Sequence, residues 1–129
     1  MLIRGLLNPH VNALLARVRH TNTLVIADRG FPFWPEIETI DLSLVDGVPT
    51  VPQVVEAVLA NWKAGHVFMA EEFVAHNPPL VQQRFAEALG GLPRTLEPHV
   101  QFKLRVPRAI GLIRTGDTVQ YANLILESA

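Results

Sequence analysis

The residues of this sequence best suited to moving protons are five histidines and a few carboxylates. Histidine has an unperturbed pKa of about 6.5, which suits proton transfer near neutral pH. His20 stands eight residues before Asp28, so one histidine and one carboxylate are close along the chain. The other histidines are His10, His66, His76 and His99. These residue types favour general acid–base chemistry over nucleophilic chemistry.

Several other chemistries lack their usual residues. The sequence has no cysteine, which excludes disulfides, thiolate metal sites and cysteine nucleophiles. No His-x-x-x-His spacing, dinucleotide-binding glycine pattern or phosphate-loop pattern occurs. Ser43 and Ser128 lie outside any nucleophile-elbow context. A metal site could form only if His20, Asp28 and His99 met through folding, so we expect no metal and keep a metal-dependent hydrolase as a distant alternative.

Length and composition predict one globular domain spanning residues 1–129. Of the 129 residues, 49% are hydrophobic and 18% are charged, which is enough for a real core. Eleven Lys and Arg against twelve Asp and Glu give a net charge of −1, unlike a strongly basic nucleic-acid binder. Neither a signal peptide nor a membrane span is visible, so we expect a cytoplasmic protein that binds no membrane.

Hydrophobic periodicity predicts helices alternating with strands. Helices are expected to begin at Asn8-Pro9, at Thr50 and at Asn77, with a brief helix from Phe102 to Val106. The predicted strands are 23–27, 37–42, 66–70, a short one near 95–96, 109–113 and 121–126. This alternation favours a single-domain three-layer α/β/α fold with a mostly parallel central sheet.

Polar residues follow the predicted strands, where open α/β sheets bind ligands. Asp28, Glu71 and Arg114 each lie just past a predicted strand. His20 ends the first helix, and because the chain reverses direction there, we expect it near Asp28. Tyr121 is expected to share one face of the last strand with Asn123, where the two could hydrogen-bond a polyol.

Ordinary structural roles remain open for the same residues. His20 could end its helix by complementing the negative end of the helix dipole. Asp28 could cap a turn, and Tyr121 with Asn123 could form the wet face of an edge strand. Lys103 belongs to a small basic cluster of a kind that usually faces solvent. His99 has no clear structural role.

A set of segments, in order along the chain, matches a known family. The segments are 7–8, 20–32, 40–44, 47–49, 70–72, 76–78, 99–103, 113–116 and 121–126. On these segments the chain resembles the D-ribose pyranase and L-fucose mutarotase family of bacterial sugar-anomer isomerases. The resemblance runs from Leu7 to Leu126, nearly the whole sequence.

The resemblance implies specific roles. It marks His20 as the catalytic proton donor. It marks five residues as substrate-binding: Asp28, His99, Lys103, Tyr121 and Asn123. It further implies a cofactor-independent isomerase that binds a monosaccharide such as D-ribose or L-fucose. Family members are ring-shaped homo-oligomers, often decamers, whose pockets are completed by a neighbouring subunit.

The sequence departs from the family pattern around Asp28. Arg29 adds charge and bulk beside the expected sugar-binding carboxylate, while Phe31-Pro32 is more like the fucose mutarotases. An ion pair between Arg29 and Asp28 would disable the carboxylate. This motivates an alternative, a non-catalytic monosaccharide-binding or regulatory protein.

Overall fold

The computed structural model describes all 129 residues and contains one six-stranded sheet. The strands are β1 (Thr23–Ala27), β2 (Glu38–Asp41), β3 (Ala64–Ala70), β4 (Arg94–Glu97), β5 (Gly111–Arg114) and β6 (Leu124–Ser128). The helices are α1 (Pro9–Arg17), α2 (Val51–Leu59), α3 (Glu71–His76), α4 (Pro79–Leu89) and α5 (His99–Arg105), with a 3₁₀ turn at Val106–Arg108.

Most strands of the sheet have their carboxyl ends at the same edge. The strand order is β2-β5-β1-β6-β3-β4. Pairs β2–β5, β5–β1 and β3–β4 are parallel, whereas β6 is antiparallel to both β1 and β3. Strands β1 to β5 therefore run the same way. Their carboxyl ends meet the amino end of β6 at one edge, which we call the carboxyl edge.

Helices cover both faces of the sheet, so the predicted three-layer α/β fold class is confirmed. Side chains of β1 alternate between the layers, as the two-residue period of a strand requires. Leu24 and Ile26 pack into a core of 19 buried residues with α1, α2 and α4. Val25 and Ala27 pack into a core of eight with α5 and the 3₁₀ turn.

The first two helices begin at strong sequence signals. The Asn8 side chain accepts hydrogen bonds from the backbone N–H groups of His10 and Val11, both at 3.0 Å, and Pro9 takes the first helical position. Thr50 and Gln53 form a reciprocal capping box at the start of α2. None of the helices is both long and apolar enough to cross a bilayer.

Three sequence predictions need correction. The helix expected to begin at Asn77 is found as α4, which begins at Pro79, but the short helix α3 that precedes it was not predicted. The fifth helix begins at His99 rather than Phe102. The last strand begins at Leu124, so Tyr121 and Asn123 lie in the turn before it. Tyr121 has a φ of 54°, a left-handed conformation that ends the extended pattern.

Candidate active site

The carboxyl edge gathers polar side chains from four neighbouring strands. Asp28 directly follows β1, and Asn123 directly precedes β6. Glu72 lies in the first turn of α3, which continues from β3, and His99 begins α5 one residue after β4. Because β1, β6, β3 and β4 are adjacent in that order, these four residues lie along one edge of the sheet.

A cavity of about 360 Å³ opens at this edge. The residues lining it are Asp28, Gly30, Phe31, Pro32, His99, Gln120, Tyr121 and Asn123. Four of the six residues singled out from the sequence therefore come together: Asp28, His99, Tyr121 and Asn123. Carboxylate, imidazole, phenol and amide groups beside an aromatic ring can together hydrogen-bond a small polyhydroxyl ligand and pack against its carbon face.

Backbone contacts fix Asp28 in this cavity. Its backbone N–H donates to Oδ1 of Asn123 at 2.7 Å, and its Oδ1 accepts the N–H of Gly30 at 2.9 Å. Asn123 is only 3% exposed, so its side chain acts as a buried support for the loop after β1. The carboxylate is thus held in place before any ligand arrives.

Burial raises the pKa of the Asp28 carboxyl above its ordinary value, and the negative charge of Asp117 acts in the same direction. Hydrogen bonds from Gly30, Asn123 and Phe31 oppose this rise without cancelling it. A partly desolvated carboxylate interacts strongly with ligand hydroxyls, because little water competes for it.

The loop after β5 supports the same position. The Thr115 hydroxyl and backbone N–H both donate to the carbonyl of Ala27, at 2.8 and 2.9 Å. Asp117 is 3% exposed, and its carboxylate accepts backbone N–H groups from Val51 at 2.8 Å and Val119 at 2.9 Å. Its carbonyl accepts the N–H of Arg29 at 3.1 Å. Buried hydrogen bonds therefore hold the carboxyl end of β1 in place.

His99 is set in an aromatic environment. Its ring packs against those of Phe31, Phe102 and Tyr121, with centroid distances of 6.2, 5.9 and 5.1 Å. Its ring atom Nε2 is buried and has no hydrogen-bond partner within the chain. An unpartnered buried polar atom costs about 1–3 kcal/mol, so a ligand hydroxyl that reached it would be favoured.

Burial lowers the pKa of His99, and the charge of Lys103 lowers it further. The carboxylates of Glu72 and Asp28 act in the opposite direction. Lys103 itself does not line the cavity. It lines an adjoining apolar groove with Pro32 and Trp34, so its effect within one chain is electrostatic.

His20 lies at the opposite edge of the sheet, which we call the amino edge because strands β1 to β5 begin there. The residue after it, Thr21, donates its N–H to the carbonyl of Ser128, the last residue of β6, at 3.1 Å. Thr21, Asn22 and the five residues of β1 separate His20 from Asp28, and the strand alone spans about 16 Å. The expected proximity of His20 to Asp28 within one chain is therefore wrong, because the chain reverses before β1 and the strand then carries it away. The His20 side chain is exposed.

Arg29 does not pair with Asp28. Its guanidinium Nη1 donates to Oδ1 of Asp46 at 2.7 Å, in an ion pair whose side chains are 55% and 68% exposed. Arg114 also stays outside the cavity: it bridges Oδ2 of Asp41 and the carbonyl of Arg29. The ion pair between Arg29 and Asp28 that would disable the carboxylate is therefore absent.

Sequence analysis missed several residues of the site. Phe31 and Pro32 were noted only as a likeness to the fucose mutarotases, although an aromatic residue next to a site carboxylate is a usable signal. Glu71 was noted after the third strand, whereas Glu72 is the residue that contacts His99. Gln120 gave no sequence signal. No three His, Asp or Glu side chains come together as a group that could hold a metal ion.

Comparison with known proteins identifies the family. The sequence model of the RbsD / FucU transport protein family matches residues 1–129. The chain belongs to the RbsD/FucU family. Curated D-ribose pyranases are similar to it along most of their length. The protein from Geobacillus kaustophilus is 44% identical over 124 residues, covering 96% of this chain and 90% of the relative. That from Laribacter hongkongensis is 38% identical over 124 residues, with coverage of 96% and 94%.

Solved structures of RbsD/FucU proteins share the fold. RbsD from Bacillus subtilis, complexed with D-ribose, superposes with a TM-score of 0.92 at 32% identity, covering 100% of this chain and 98% of that one. Fucose mutarotase from Streptococcus pneumoniae, in complex with L-fucose, gives 0.79 at 21% identity, covering 95% and 92%. The second likeness concerns the fold alone.

Proposed function

We propose that this protein is an isomerase that interconverts the anomers or ring forms of a monosaccharide, with D-ribose the first candidate. The observation that carries the proposal is the cavity at the carboxyl edge, which groups Asp28, His99, Tyr121 and Asn123. The curated relatives of 44% and 38% identity are both named D-ribose pyranase, which supports ribose over fucose.

The reaction breaks the bond between the anomeric carbon and the ring oxygen and forms an aldehyde, and the only catalysis it needs is proton transfer. An aldopyranose opens when its ring oxygen gains a proton and its anomeric hydroxyl loses one. The open aldehyde then recloses on either face, or through another hydroxyl to give a furanose. A positioned acid–base group accelerates such a step by about 10²–10⁴-fold. We assign this proton transfer to His20 and the binding of sugar hydroxyls to Asp28 and the other cavity residues.

We further propose that His20 works in the cavity of a neighbouring copy. It is exposed at the edge opposite its own cavity, so only an assembly can bring it to a bound sugar. A ring of identical subunits meets this need, because head-to-tail contacts present one subunit's amino edge to the next subunit's carboxyl edge. Three predictions made from the sequence stay predictions: that the assembly is a decamer, that Lys103 contacts the sugar and that the protein is cytoplasmic.

Magnetisation-exchange NMR between sugar anomers tests the proposal. We expect the protein to accelerate exchange of D-ribose above the buffer rate, and L-fucose in the same panel tests the substrate preference. No acceleration for ribose, fucose or related aldoses would refute the isomerase. Calorimetric binding of ribose without acceleration would instead favour a sugar-binding protein. Light scattering checks the assembly, and a monomer would contradict a shared site.

A further inference from the structure

The short helix α3 lies between two segments of the cavity. It continues directly from β3, spans only Glu71–His76, and packs its one fully buried residue, Phe73, into the larger core. Its two ends each contact a different segment of the cavity wall. No sequence pattern predicted this helix, and the proposed reaction leaves it without a role.

The first turn of α3 holds the start of α5. Both carboxylate oxygens of Glu72 accept the backbone N–H of His99, at 3.0 and 2.9 Å. His99 is the first residue of α5, and the preceding Pro98 provides no side-chain cap. Glu72 thus satisfies a helix N–H that would otherwise lack a partner, from a segment 27 residues away. This contact fixes the backbone that carries the His99 ring.

The other end of α3 holds the turn that carries Tyr121. The side-chain amide of Asn77 donates to the carbonyl of Gln120 at 2.9 Å and to the carbonyl of Phe73 at 2.8 Å. The ring of His76 stacks on that of Tyr121, with centroids 5.2 Å apart. Tyr121 itself has positive φ, which a non-glycine residue keeps only when its surroundings hold it.

We propose that α3 is a positioning element of the sugar site, in which Glu72 sets the place of His99 and Asn77 sets the place of Tyr121. The inference rests on the proposed function, since it assumes that these two rings contact the sugar. The rings lie edge to face, 5.1 Å apart, although one belongs to α5 and the other to the turn before β6. Neither Glu72 nor Asn77 lines the cavity, so both act through other residues.

Two pairs of variants separate positioning from folding. Glu72→Met keeps the side-chain length but removes the acceptor, whereas Glu72→Gln keeps one acceptor oxygen. Asn77→Asp keeps the shape but cannot donate, and Asn77→Ala serves if the added charge prevents folding. We expect KM for ribose to rise about 3- to 10-fold for Glu72→Met and Asn77→Asp, as for one lost hydrogen bond, with a smaller change in kcat. Glu72→Gln is expected to recover most of the affinity.

Matched controls come from α2 and α4. The amide of Asn61 donates to the carbonyl four residues earlier, as Asn77 does, but contacts no site segment. Glu87 accepts a side-chain hydrogen bond from Gln83 on the surface of α4. Asn61→Asp and Glu87→Met should leave KM unchanged. Equal KM increases in these controls, or none in Glu72→Met and Asn77→Asp, would overturn the inference.

Double-mutant cycles show through which cavity residue Glu72 and Asn77 each affect KM. If Asn77 acts through Tyr121, Asn77→Asp adds nothing to the KM of Tyr121→Ala but still adds to that of His99→Ala. Glu72→Met should add nothing to the KM of His99→Ala but should still add to that of Tyr121→Ala. Additive effects in every background would contradict positioning. A wild-type protein that does not accelerate exchange would instead refute the proposed function, so the two failures are distinguishable.

Discussion

The two edges of the sheet carry different parts of one proposed reaction. At the carboxyl edge, Asp28 is held by the side chain of Asn123 and the backbone of Gly30, and His99 packs among three aromatic rings. At the amino edge, His20 is exposed beside the end of β6. One chain therefore builds a preorganised binding cavity but leaves the expected proton donor at the far end of β1.

In the proposed assembly, sugar binding and proton transfer depend on different copies of the chain. Groups that must bind a sugar in fixed geometry gain from burial and from hydrogen bonds within the chain, because preorganisation lowers the cost of binding. A proton donor must instead reach a bound sugar, which an exposed histidine of an adjacent copy can do in the proposed assembly. Substitutions at the two edges should therefore affect catalysis and binding differently.

Replacing His20 should abolish catalysis without abolishing binding. We expect His20→Ala to lower catalysed anomer exchange about 10²–10⁴-fold, because one acid–base group is lost. Calorimetry should find ribose affinity within about threefold of wild type, because the residues proposed to bind the sugar hydroxyls, Asp28, His99 and Tyr121, are unchanged. Exchange NMR and calorimetry on the same preparation provide the measurement.

Mixing two inactive variants shows whether Asp28 and His20 of one site come from the same chain or from two chains. Asp28→Asn should lose activity for lack of the sugar-binding carboxylate. Co-expressed with His20→Ala, it should form mixed rings in which about a quarter of the sites combine an intact cavity with an intact His20. Recovery to about a quarter of wild-type activity is the expected result. No recovery in verified mixed oligomers would place both groups in one chain.

Much of the fold was predictable because its signals are local. The Asn8-Pro9 cap, the apolar run of β1 and the capping box at Thr50 each specify an element without distant partners. Helix α3 was missed because its six residues are too few to show a helical period, and because it continues from β3 without a side-chain cap. The antiparallel direction of β6 is likewise a tertiary property.

The site was predictable in its residue types but not in its contacts. Asp28 and His99 stand out because a carboxylate follows a strand and a histidine lacks a structural role. The pairing of Asn123 with the Asp28 backbone joins residues 95 positions apart, which no local pattern encodes. The separation of His20 from Asp28 depends on which way the chain turns before β1, and only the fold decides that.

Removing the support beneath Asp28 should weaken both stability and binding. Asn123→Ala leaves the backbone N–H of Asp28 without its acceptor, a loss of about 1–3 kcal/mol of unfolding free energy. Thermal denaturation should show a fall in Tm of about 5 °C or more, and calorimetry a weaker ribose affinity. The control is Asn12→Ala, which removes a hydrogen bond to Leu6, and neither of these two residues lines the cavity. It should lower Tm and leave the affinity alone.

Asp28 itself should cost the protein stability at neutral pH. Burial raises its pKa in the folded state, so folding favours the protonated carboxyl. The stability that this contributes is fully present below the unfolded pKa of about 3.9 and is lost as pH rises through the raised folded value. Asp28→Asn should therefore raise Tm at pH 7 by about 2 °C. This advantage should shrink as pH falls through the raised folded pKa, and it should be gone below about pH 4. Denaturation scans at both pH values check it, and a variant less stable than wild type at pH 7 would contradict the burial penalty.

The smallest expected effect concerns Arg29, whose backbone and side chain have separate roles. Its backbone N–H and carbonyl join the loops around Asp28, through Asp117 and Arg114. Its exposed side-chain ion pair with Asp46 is worth less than about 1 kcal/mol. Arg29→Ala should therefore leave exchange activity and ribose affinity within about twofold of wild type. Arg114→Met removes both hydrogen bonds to the Arg29 carbonyl and should disturb the loop more. If Arg29→Ala instead strengthens sugar binding several-fold, its charge does restrain Asp28, and the carboxyl edge is less complete in one chain than its hydrogen bonds indicate.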